Sequence, residues 1–222
     1  MLTVNPAELH GMLTDLSRTA GTDSTLPMLN GILLHVDTKV DSTVLVGSST
    51  DRLRFGQAHA PATGEIPATF VSMAQVRQLL DTLKPYSRTH DLLAEVTVED
   101  RVKLTVKLPG DLVLPAVTIT VHCSDDSDFP KAAKILDTQV VEGIGQLGFN
   151  PAYVAAFSAI AKRRNEHLRI DVSHDHKPSM FYVGDRYRAL LMPVRLHDDQ
   201  MRIPAAFVPP REKPATEDSK AA

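Results

Sequence analysis

The chain has 222 residues, 43% of them apolar and 23% charged, with a formal net charge of −3 and one cysteine. This apolar content suffices for one large or two small packed domains. The charge excludes a uniformly basic nucleic-acid binder but leaves room for one basic face, and a lone Cys123 excludes an internal disulfide or multi-cysteine metal site and reads as core.

No window approaches about 18 consecutive apolar residues, and the start MLTVNPAELH lacks the basic and apolar regions of a signal peptide. The expectation is a cytoplasmic protein with no membrane partner. In chain order, a short strand LTV leads into a helix over 6–19 (PAELHGMLTDLSRT), then strands at 31–37 and 42–48. ATFV leads into a helix over 72–84, followed by strands at 92–100, 101–108 and 113–123. A third helix spans 151–164 (PAYVAAFSAIAKRR), with strands at 167–173, 179–184 and a last buried strand in ALLMPVRL, 189–196.

Two of these helices start alike, LTVNPAEL at 2–9 and LGFNPAYV at 147–154. Asn5 and Asn150 stand where an N-cap side chain accepts free backbone N–H groups, and Pro6 and Pro151 stand at the first helical position, where a missing N–H is harmless; Ser72 is the corresponding cap of the second helix. One unit of a short strand, a capped helix and further strands therefore recurs over roughly 1–62, 65–123 and 146–196, which predicts an α+β fold of helices packed on antiparallel sheet. Two units make one domain, 1–130. Residues 131–145 fall in a linker that begins in the acidic run Asp125, Asp126 and Asp128, 146–197 is half a domain, and 198–222 is a tail of disordered composition towards its end.

The repeat, together with TLPMLNGILLHV (25–36), SSTDRLRFG (48–56), DFP (128–130), GFNPAYVAAFSAIAK (148–162) and MPVRL (192–196), resembles the bacterial β sliding clamp, the DNA polymerase III beta subunit family. The resemblance covers nearly the whole chain before the tail. It implies the DNA clamp fold and a processivity factor without cofactor, whose partners are double-stranded DNA, the replicative polymerase, the clamp loader and further copies of itself. Family rings hold twelve helix-bearing halves, so a chain of three halves implies four chains. An unpaired half is expected to expose a sheet edge and an apolar helix face that seek a second copy or another protein.

The resemblance also implies two surfaces. Basic residues near the helix ends, Arg18, Arg77, Lys84, Arg88, Lys162, Arg163 and Arg164, would hold phosphates without reading sequence; without the resemblance, several of these read as complements to helix dipoles. A peptide pocket would be lined by Met12, Thr50, Arg52, Leu53, Pro130, Ile135, Met192, Pro193 and Val194, where Met and Leu adapt to varied apolar side chains; taken singly, Leu53, Ile135 and Met192 read as core. QMRIPAAF (200–207), with a glutamine, spaced aliphatics and a phenylalanine, is loosely like a peptide that such a pocket takes.

Catalysis is not expected. The sequence has no GxSxG and no phosphate-binding Gly loop, and His167, His174, Asp175 and His176 form no ligand set of defined spacing, so no metal is assigned. The rival to a ring-forming clamp is a clamp-like regulator that forms no ring and competes for clamps or their peptides.

Overall fold

The computed structural model describes residues 1–39, 42–89, 91–125, 128–130, 147–172 and 177–196. The first unit contains β1 (Leu2–Val4), α1 (Pro6–Leu16), β2 (Gly31–Lys39), β3 (Ser42–Thr50) and β4 (Arg54–Gly64). The second contains β5 (Thr69–Ser72), α2 (Met73–Leu83), β6 (Ala94–Glu99), β7 (Lys103–Leu108) and β8 (Val117–His122). The third contains α3 (Pro151–Arg164), β9 (Leu168–Asp171), β10 (Ser179–Val183) and β11 (Tyr187–Leu191).

Two of the helices start as their residues dictate. The Asn5 carboxamide oxygen accepts from the N–H groups of Ala7 (2.9 Å) and Glu8 (3.2 Å), and that of Asn150 accepts from Ala152 (3.0 Å). Ser72 makes no such cap; its hydroxyl donates to the Gln75 side chain instead (2.9 Å). Helix α1 ends three residues earlier than its sequence pattern suggests. The Ser17 hydroxyl donates to the Leu13 carbonyl and that of Thr19 to the Leu16 carbonyl, while Arg18 and Thr19 N–H groups bond three residues back, tightening the chain into a turn.

Each of the first two units lends its leading strand to the other. Strand β5 pairs with β2 (Ile32 opposite Val71), and β1 sits between β4 and β6 (Leu2 opposite Gly64 and Val96), giving the order β5-β2-β3-β4-β1-β6-β7-β8. The third unit joins the same array. Strand β11 pairs antiparallel with β4 from Tyr187 opposite Ala58 to Leu191 opposite Arg54, and β10 and β9 extend outward from it.

The half unit is therefore joined to the rest of the chain along one edge and over its helix, so the expected exposed apolar helix face is not found, while the expected free sheet edge remains at β9 among the described residues. Its β11 edge is satisfied within the chain, and the apolar face of α3 is buried, with Phe157 and Ile160 at 0% exposure in one core with Leu13 and Leu16 of α1. Phe157 packs on Phe181 of β10 at 4.8 Å between ring centroids. Burying each such side chain contributes about 2–3 kcal/mol. Strand β9 keeps an edge without a partner among the described residues, and its Ile170 is exposed.

An ionic clasp fastens the third unit to the first. Asp15 of α1 is fully buried; its two carboxylate oxygens accept from Arg163 Nε (2.6 Å) and Nη2 (2.5 Å), and one of them also accepts from Arg164 Nε (2.7 Å). A dry carboxylate is tolerable only when its charge and lone pairs are met in this way. Gly11, one turn earlier on α1, gives Arg163 its path: a Cβ there would lie 3.1 Å from Nη1. Asp15→Ala leaves both guanidinium groups without their acceptor, and breaking a buried pair from one side is expected to destabilise the chain by about 2–3 kcal/mol, the lower end reflecting the partial exposure of Arg163. Urea unfolding reads this directly, and a loss under about 1 kcal/mol would show that packing alone holds α3 in place.

Candidate nucleic-acid and partner interfaces

The helices carry their cations unevenly. On α2, Met73, Val76, Leu79 and Leu83 are buried, which turns Arg77 to solvent, with Lys84 and Arg88 exposed just past the helix end. Arg18 after α1 and Lys162 on α3 are also exposed, and none of these five makes an ion pair with another described residue. Arg163 and Arg164 differ: both guanidinium groups pair with Asp15, which gives them a structural role in addition to the phosphate contact expected of them.

Two features of this face escaped the sequence reading. Glu8 of α1 accepts from Arg186 in the β10–β11 turn (2.8 Å), a second tie between the first and third units. His10 of α1 is half-buried, and Arg163 and Lys84 add to the burial that disfavours its protonated form. Its signal in the sequence was only a polar residue on the exposed stripe of a helix.

The second surface is built by two turns. In the β3–β4 hairpin, the Thr50 hydroxyl donates to the Arg54 carbonyl (2.8 Å) and accepts from the Arg52 N–H (3.2 Å). Asp51 accepts from the N–H groups of Leu53 (3.1 Å) and Arg54 (3.0 Å) and from Arg54 Nε (2.8 Å). Arg52 adopts φ 80°, a left-handed conformation that non-glycine residues take in tight turns. The result pushes Arg52 and Leu53 outward.

Beyond the last pair of β11, the Met192 N–H donates to the Leu53 carbonyl (3.0 Å), and Val194 N–H donates to Gly148 (2.9 Å). Leu53, Met192 and Val194 are 50%, 40% and 45% exposed, so they form an apolar surface patch and not core. Pro193, half-buried, separates the last two.

The other residues assigned to this pocket differ in placement. Met12, 1% exposed, belongs to the core beneath α1, and Thr50 is buried in support of the turn; neither presents a surface to a peptide. Pro130, half-buried, follows Phe129, which packs against Phe55, Met180 and Leu190. Ile135 lies outside the described residues, as do His174, Asp175, His176, Asp126 and the stretch 200–207. His167 is exposed, and among the described residues no group of three or more His, Cys, Asp or Glu side chains could hold a metal ion. No described helix is long and apolar enough to cross a membrane.

No protein-family model and no curated protein matches the sequence. Solved structures do. The DNA polymerase III beta subunit of Thermotoga maritima superposes with a TM-score of 0.67 at 14% identity, over 88% of this chain and 65% of that one. The sliding clamp of Bacillus subtilis gives 0.62 at 12% identity over 88% and 64%, and the clamp of Bartonella birtlesii, bound there to griselimycin, gives 0.61 at 15% over 87% and 65%. The chain thus has the α+β fold of the β sliding clamps, of mixed helices and antiparallel sheet, and spans about 65% of the length of the clamps it matches.

His10 has a titration signature. Burial first, then Arg163 and Lys84, push the His10 imidazole below its ordinary value of 6.5. The folded state therefore disfavours the proton that the unfolded chain binds, so this contribution to stability is complete above pH 6.5 and is lost as pH falls through the folded-state value. An NMR titration of the imidazole should give a midpoint below 6.5 that rises towards it in Lys84→Gln; an unmoved midpoint would place Lys84 outside the reach of α1.

Proposed function

We propose that the chain is a shortened clamp: a non-enzymatic scaffold that associates with further copies, holds duplex DNA through its helix-bearing face, and docks replication proteins, the polymerase among them, on the Leu53–Met192–Val194 patch. The observation that carries the reading is the combination of the clamp fold with an apolar patch assembled from two distant segments. The four-chain ring implied by three halves per chain belongs to the same reading. Exposed Arg18, Arg77, Lys84, Arg88 and Lys162 supply a sequence-independent phosphate attraction.

A second reading has its own support. Because β11 is paired with β4 inside the chain, that side of the half unit needs no second copy, and with β9 as its remaining open edge among the described residues the chain also suits a clamp-like module that binds clamp partners without encircling DNA. Retention on closed circular DNA, released on linearisation, decides between them; absence of topological retention, with a monomer by light scattering, selects the module.

The DNA contact is tested by salt. Each phosphate contact contributes about 0.9 to the slope of log affinity against log salt, so Lys84→Gln, Arg88→Gln and Lys162→Gln together should lower the slope by about 2–3 while leaving the Asp15 clasp intact. An unchanged slope overturns the assignment of these cations. The docking patch is tested by Met192→Asp, which places a charge at its centre; binding of a labelled peptide with a glutamine, spaced aliphatics and a phenylalanine should weaken by at least about tenfold. Unaltered binding places the peptide elsewhere.

A further inference from the structure

The three units repeat one pairing scheme, and the third leaves it unfinished. Two residues before each helix cap position, the chain bridges antiparallel to the end of its own unit: Thr3 to Thr63, Phe70 to Ser124 and Gly148 to Val194. Counted back by the same number of residues, these partners lead to Gln57 on β4, Thr118 on β8 and Arg188 on β11. Rows of opposed residues start there: Gln57–Ser48–Leu33, Thr118–Lys107–Glu95 and Arg188–Tyr182–Arg169. In the first two units the row closes on the leading strand of the other unit, with Leu33 opposite Phe70 and Glu95 opposite Thr3. In the third, among the described residues, no strand lies opposite Arg169 and its neighbours on β9, and none lies on the second side of Gly148.

Burial marks the same gap. The residue after each row end is Leu34, Val96 or Ile170; the first two are 2% exposed, and Ile170 is 42% exposed. The residue before it is fully buried as Ile32 and Ala94 but only half-buried as Leu168. Four residues past the cap position, Leu9 and Val76 are buried on their helices while Val154 of α3 is half-buried. An open edge that shows an apolar side chain is a template for another strand. We infer that two copies complete one domain through their third units: the segment 147–149 of each lies antiparallel to β9 of the other, with Gly148 opposite Arg169 and Leu147 opposite Ile170, as Leu2 lies opposite Val96 within the chain. Each copy gives the segment and receives it, so the contact is two-fold and self-complementary. It meets the open N–H and C=O groups of β9 and takes Leu147 and Ile170 out of water together. The inference rests on the reading that copies associate, and names the surface they use; a ring of four chains would alternate this two-fold contact with one other.

Cysteine cross-linking of the full chain reads the register. An equimolar mixture of Leu147→Cys and Ile170→Cys chains under mild oxidation should give a disulfide-linked pair containing one of each, because opposed residues on antiparallel strands bring their Cβ atoms to about 4.5–5.5 Å. Neither variant alone should link, and wild type, whose Cys123 is buried, is the control. In sedimentation velocity from micromolar to submillimolar concentration, Ile170→Asp should reach half the limiting mass of wild type. Its urea midpoint at dilution should be unchanged, because the position is exposed in the single chain. A mixture that fails to link, or an Ile170→Asp chain that assembles as wild type does, overturns the inference. If wild type assembles in either of those cases, the reading that copies associate stands and this inference alone falls; a wild type that stays monomeric throughout removes both.

Discussion

The arrangement of the three units depends on one buried carboxylate. Asp15 sits at zero exposure on the packing side of α1, and an ionised group there is stable only with opposite charge and hydrogen bonds at both oxygens. Among the described residues, the groups that meet this need come from the end of α3, so the carboxylate ties that end of the helix to α1. The consequence reaches the sheet. Arg164 lies over the Tyr187 ring at 6.0 Å, and Tyr187 is the first residue of β11, the strand that pairs with β4. Burial in this setting pushes the Tyr187 phenol far above its ordinary value, so it remains neutral throughout the physiological range.

Strand β4 is where these constraints meet. One of its edges is paired with β3; the other is shared between β11 over its first half and β1 over its last residues. A single strand therefore holds the first unit together, receives the third, and connects both to the sheet of the second. Its inward residues are small for a reason. Gly56 lies where a Cβ would come within 2.4 Å of the Thr19 hydroxyl and 2.9 Å of the Tyr187 hydroxyl, and Ala58 and Ala60 are buried in the core that α1 covers. Larger side chains there would lift the helix from the sheet and with it the clasp that α1 carries.

This explains what the sequence disclosed and what it concealed. The Asn-Pro helix starts at 5–6 and 150–151 are local chemistry and were legible, as were the β-branched runs that became β2, β3, β6 and β7. Strand β4 was not, because RFGQAHAPATG has hardly any β-branched residues; its alternation is one of small residues facing the helices, a pattern set by tertiary packing. Arg163 and Arg164 looked like complements to a helix dipole or like phosphate ligands, and only the presence of Asp15 among Leu9, Met12, Leu13 and Leu16 on the buried stripe hinted at a buried partner. Met12, carried to the pocket by the family resemblance, was instead part of that stripe, where the helical spacing alone would have put it.

The same geometry governs the apolar patch. MPVRL reads as the continuation of a buried strand, yet the ladder stops at Leu191 and the chain meets Pro193, which has no N–H to donate. The bond from Met192 to Leu53 lies one step beyond the Leu191–Arg54 pair, so the patch forms only while β11 is registered on β4. A slip by one residue would turn Leu190 and Met192 to the opposite face and dissolve the surface. Register in turn is held from the other side of the sheet, by Tyr187 beneath Arg164 and by Phe181 against Phe157. The candidate docking surface and the clasp on the helices are thus two faces of one junction: the exposed apolar residues can be displayed at low risk of collapse because buried charge on the opposite side fixes the strand that presents them.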